Sequence, residues 1–117
     1  MVLVNESYAA ADATVDTNLS AGKIWQKSAR PRRIVRIGLV GSSAVNNTRI
    51  GVYYGSEKVA TMVNVAGAAA NDSTPDKTSS YWMSSKLICG SDVPINVIVE
   101  DAPTTNNITL MMDIVDY

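Results

Sequence analysis

The chain has 117 residues, a formal net charge of −1, no histidine, no phenylalanine and one cysteine. Histidine and cysteine supply most general bases, transition-metal ligands and strong nucleophiles, so their scarcity removes the usual catalytic triads and zinc sites from consideration. The length suits one domain over residues 1–117, able to close a hydrophobic core without disulfides.

The opening Met1-Val2-Leu3-Val4-Asn5-Glu6 has neither a basic start nor a signal-type apolar run, and no later stretch approaches the roughly 18 apolar residues of a membrane span. The chain reads as neither a secreted precursor nor a membrane-spanning protein. Val2, Val4 and Tyr8 alternate, as do Ala13, Val15, Thr17 and Leu19, and a short strand is expected around Ile24-Trp25 after Ala21-Gly22.

From Arg33, period-two spacing puts Val35, Ile37 and Leu39 on one face and Ile34, Arg36, Gly38 and Val40 on the other. Thr48 to Tyr54 groups Ile50, Val52 and Tyr54, and the turn-rich 41–47 segment between these strands suggests a hairpin with a loose loop. Gly55-Ser56 is a two-residue turn of the Gly-X type, the tightest hairpin signal in the chain. It leads to a strand in which Val59, Thr61, Val63 and Val65 oppose Lys58, Ala60, Met62 and Asn64. Ala66 to Ser80 reads as a long exposed loop or a brief helical turn.

After Tyr81-Trp82-Met83, Leu87-Ile88-Cys89 reads as a short strand, with Cys89 a small buried apolar residue rather than a reactive thiol. Pro94 suits the first position of a strand whose Ile95, Val97 and Val99 share a face. The last strand groups Ile108, Leu110, Met112 and Ile114. About eight or nine short strands joined by Gly, Pro and Asn clusters predict an all-β antiparallel β-sandwich, with a single jelly roll favoured over an immunoglobulin-like order. Ile34, Val40, Met62, Ile98, Met111 and Val115 fall on outward faces of these strands, which points either to a covered surface or to a shifted register.

Charge is segregated along the chain. Lys23, Lys27, Arg30, Arg32, Arg33 and Arg36 lie close together without an acid, whereas Asp92, Glu100, Asp101, Asp113 and Asp116 follow Lys86 without a base. Such blocks attract within the molecule, attract between copies, or stand as ordinary solvated faces. The Arg32-Arg33 cluster could neutralise phosphates, but an exposed loop or a charged sheet edge is the favoured reading, and nucleic acid is not expected as a partner.

Other chemistry is sparse. Glu100 with Asp101 or Asp113 are the only carboxylate pairs in the apolar C-terminal half, and their spacing carries no glycosidase signature. Asn71, Asp72 and Asp76 could contribute oxygens to calcium, yet the segment lacks the glycine and terminal glutamate of a calcium-binding loop. Gly38, Gly41 and Gly51 have no following helix, so no phosphate cradle is expected. No enzyme activity, cofactor or metal is predicted. Trp25, Tyr53, Tyr81 and Trp82 read as core or interface fillers, or alternatively as an aromatic platform for a sugar ring. Asn5, Asn18, Asn46, Asn71 and Asn107 open Asn-x-Ser/Thr sequons, as chance produces in a chain of this composition.

Arg33 to Gly41, Val52 to Ser56 and Pro94 to Pro103, taken together, resemble small single jelly-roll virion proteins of bacterial and archaeal viruses. The resemblance covers residues 33 to 115 through strand rhythm and turn chemistry, and it transfers no functional residue. It implies a structural subunit located in the virion (capsid, spike base or decoration protein) that assembles with copies of itself and with other virion proteins. Trp25, Arg32, Arg33, Tyr53, Tyr81 and Trp82 are the candidate interface or ligand contacts, and the alternative function is a carbohydrate-binding β-sandwich.

Overall fold

A computed structural model describes residues 2–41, 47–64, 80–82, 87–104 and 106–117. Seven strands occur among them: β1 (Val2–Tyr8), β2 (Arg32–Gly41), β3 (Arg49–Tyr54), β4 (Glu57–Val63), β5 (Ser80–Trp82), β6 (Ile95–Asp101) and β7 (Ile108–Asp116). The expected loop over 66–80, apart from Ser80, and the Asn71, Asp72 and Asp76 group lie outside the described residues. Among the described residues no helix is long and apolar enough to cross a membrane.

The fold is all-β, with two antiparallel sheets ordered β1-β7-β2-β5 and β4-β3-β6. Both sheets turn apolar rows toward one shared core. Val4, Ile34, Ile37, Leu39, Leu110, Met112 and Ile114 come from the first sheet and Ile50, Val52, Ile95, Val97 and Val99 from the second. Aliphatic and β-branched side chains fill this layer without phenylalanine, and a sandwich-like arrangement results.

The Gly55-Ser56 turn forms as expected: Gly55 has φ 65°, the conformation glycine adopts without a Cβ clash, and Tyr54 pairs with Glu57 across it. The inward rows of β3, β6 and β7 also follow their alternation. Ile37 and Leu39 of β2 face the core as expected, but bulges change the facing at the start of β2 and along β4. Val35 is an extra residue on β2, between the Ile34–Ile114 and Arg36–Asp113 pairs, so Ile34 turns into the core and Val35 is only half-buried. Val59 is likewise extra on β4, and Met62 is buried. Of the six apolar residues expected on outward faces, Ile34 and Met62 therefore belong to the core, Val40 is buried, and Ile98, Met111 and Val115 are half-buried.

The expected hairpin between β2 and β3 does not form, because the two strands belong to different sheets. The early segment differs too. Residues 13–27 carry no regular strand; a 3-10 turn at Ala10–Asp12 leads to turns and one bridge, Asn18 to Ile98. That segment still lies along β6, with Asp16 N–H donating to Val99 O (2.8 Å), Val99 N–H to Thr17 O (3.0 Å) and Leu19 N–H to Val97 O (2.8 Å). Cys89 is buried and forms a single bridge with Arg32, whereas Leu87 and Ile88 are exposed.

Candidate interaction surfaces

The basic segment does not stand out as a uniform patch. Arg32 is almost wholly buried, and its guanidinium donates to the backbone oxygens of Trp25 (2.5 Å) and Gln26 (3.0 Å). It thus ties residues 25–26 to the start of β2. Trp25 is also buried within the core. These two candidate contact residues are interior, and their work is to hold the chain to itself. Arg33 is half-buried and sits opposite Val115.

The acidic block of the C-terminal half meets the basic one across β2 and β7. Arg36 is the register partner of Asp113 and Arg32 of Asp116, so residues of the two blocks, far apart in sequence, lie on neighbouring strands. A second cluster covers the outer side of the other sheet. Glu100, an extra residue on β6 at the Arg49–Ile50 register shift, accepts from Lys58 Nζ (2.6 Å) and Arg49 Nε (3.0 Å). Arg49 also approaches Asp101 at 3.6 Å. The hydrogen bond from Lys58, aided by the Arg49 charge, holds the Glu100 carboxyl below its ordinary range. A general acid needs the reverse shift.

Other polar groups are likewise committed to the fold. Asn64 is fully buried at the end of β4; its Oδ1 accepts from Thr48 N–H (2.9 Å) and its Nδ2 donates to Gly41 O (2.7 Å). Asn96 Oδ1 accepts from Asn18 Nδ2 (3.0 Å) and Gln26 Nε2 (3.2 Å), which engages the Asn18 sequon in the interior network. Burial pushes the Cys89 thiol up in pKa despite the neighbouring Arg32. Among the described residues no group of three or more metal-ligating side chains comes together.

Comparison with protein-family models, curated protein sequences and solved structures gives no match. Function must therefore be argued from the arrangement of this chain alone.

The aromatic residues are divided between sheets. Tyr53 is half-buried on β3, beside Gly51 and Glu100. Tyr81 and Trp82 are on β5 at the edge of the other sheet, in register with Ile37 and Arg36. One signal for a contact surface was missed in reading the sequence. Val2 and Leu3 are exposed apolar residues on β1, which takes a sheet edge that strand alternation does not specify.

Proposed function

We propose that the chain is a single jelly roll and a non-enzymatic structural subunit of a virus particle, serving as a capsid, spike-base or decoration protein that assembles with copies of itself and with other virion proteins. The observation that carries this reading is the nesting of its strand pairs. β1 pairs with β7, residues 16–19 lie along β6, β2 pairs with β5, and β3 pairs with β4. A long antiparallel hairpin rolled into two sheets has this order, with residues 16–19 standing where a jelly roll has its second strand.

Jelly rolls serve capsids, lectins and cupins, so the fold alone does not choose among them. The use of this chain's polar groups favours assembly. Arg32, Asn64, Asn96 and Glu100 each bind other parts of the fold. The carbohydrate-binding alternative needs Tyr53 together with Tyr81 and Trp82, which lie on different sheets.

The test is native mass measurement and particle imaging of the purified full chain over a wide concentration range. Discrete oligomers or particles are expected. A monomer unchanged up to millimolar concentration overturns the reading. Glycan-array binding by such a monomer, abolished by Trp82→Ala, would put carbohydrate recognition in its place.

A further inference from the structure

Each edge strand of a sheet leaves a row of backbone N–H and C=O groups open to another strand, and soluble β proteins blunt such rows with short strands, charges, bulges or covering loops. Three of the edges in this fold are blunted. Among the described residues β5 spans only three, Ser80–Trp82. β4 carries Glu57, Lys58 and the bulge at Val59. The open side of β6 is covered by residues 16–19.

β1 has the fewest of these devices, a single charge at Glu6. It pairs with β7 over seven consecutive residues without a register shift and contains no proline, lysine or arginine. Among the described residues, no other segment donates to or accepts from its backbone on the free side. Its later half is flanked by side-chain contacts: Tyr8 OH donates to Leu19 O (3.0 Å), and Lys23 lies over the Tyr8 ring. The first half is open and apolar, with Val2 38% exposed and Leu3 70%.

We infer that β1 is the edge through which two copies of this chain join, antiparallel about a two-fold axis, so that the four-stranded sheet of one copy continues into that of the other. This rests on the assembly reading above and names the strand that assembly uses. Another extended backbone with its own free edge pairs such a row in place of water. Among the described edges the first half of β1 is the least blunted, so the strand it meets on another copy is β1 again. Charge permits the contact, because Glu6 is the one charged residue of β1 and already pairs with Lys23 at 3.3 Å. An isologous contact of this kind closes on itself and leaves β5 as the outer edge of the joined sheet.

The test compares the full chain with a Leu3→Lys, Asn5→Lys double variant and with Thr61→Lys as a control on β4. All three positions are exposed, so the variants keep the fold, which circular dichroism verifies. Sedimentation equilibrium should show the unmodified chain and Thr61→Lys as dimers or dimer-based assemblies, with the double variant weakened about 100-fold or more. Hydrogen exchange on the unmodified chain reads the edge without any mutation: the β1 amides not bonded to β7 should exchange slowly only in the associated state. Assembly that survives the double substitution with those amides exchanging freely overturns this inference and leaves the structural-subunit reading standing. A chain monomeric at every concentration overturns both.

Discussion

Tyr54 shows how one side chain compensates for an irregularity in the opposite sheet. The register shift on β2 takes Ile34 out of regular alternation, and its N–H donates to the Tyr54 hydroxyl at 2.9 Å. That bond crosses from β3 to β2, joining the two sheets inside the core. Burial raises the Tyr54 pKa, so the hydroxyl stays protonated through the neutral range. Tyr54→Phe removes the acceptor but keeps the ring, leaving a buried donor unpaired. The expected cost is about 1–3 kcal/mol, read as a lower urea midpoint with an unchanged slope. A midpoint equal to that of the unmodified chain would mean that the Ile34 N–H finds another acceptor at no cost. Arg32 illustrates the same economy at the start of β2. Its sequence context is a run of bases that looks solvent-facing, yet two backbone oxygens in the 25–26 turn draw its guanidinium inside.

At the level of strands, two glycines make opposite demands. Gly41 ends β2 with φ 114°, and a Cβ there would collide with the Asn107 carbonyl oxygen and lie 2.8 Å from Ile108 Cα. Both obstacles are backbone of the neighbouring strand and its approach. Gly51 is crowded instead by the Glu100 carboxylate at 2.6 Å and the Tyr53 ring at 3.1 Å, which are side chains able to move. Gly41→Ala should therefore cost about 2–4 kcal/mol and Gly51→Ala less than about 1.5, compared by thermal and urea unfolding. Equal losses would contradict this division between backbone and side-chain obstruction. The same elements explain what the sequence revealed. The β3–β4 turn was legible because Gly55 and Ser56 act locally, and the rows of β6 and β7 because long alternation leaves one apolar face. Val35 and Val59 were not legible as bulges, since a valine in a strand gives no sign that it lacks a partner. The separation of β2 from β3 was not legible for a related reason: strand partners here are chosen by the whole fold, and the sequence between the two strands does not encode them. Trp25 lies in the core, one of the two roles its sequence allowed, whereas the burial of Arg32 was not legible because it depends on backbone oxygens of the 25–26 turn.

Across the whole molecule, the N-terminal strand closes against the C-terminal one, with Val2 opposite Ile114. Most of the chain must be ordered before that pair becomes favourable, because loop-closure entropy precedes the gain from contact. The β3–β4 hairpin, joined by two residues, carries no such burden. Folding should consequently take milliseconds to seconds, the range of sheet proteins dominated by non-local pairing. It should also have an order visible in mutant kinetics. Met62→Ala removes a core contact of the local hairpin, and Val4→Ala one from the strand expected to dock last. Stopped-flow chevrons should show Met62→Ala slowing folding and Val4→Ala chiefly speeding unfolding. Equal slowing of folding by both substitutions would place the β1–β7 pairing in the folding nucleus and refute the proposed order. Late docking of β1 has a bearing on assembly, since an edge that orders last is also the edge most available to a second copy.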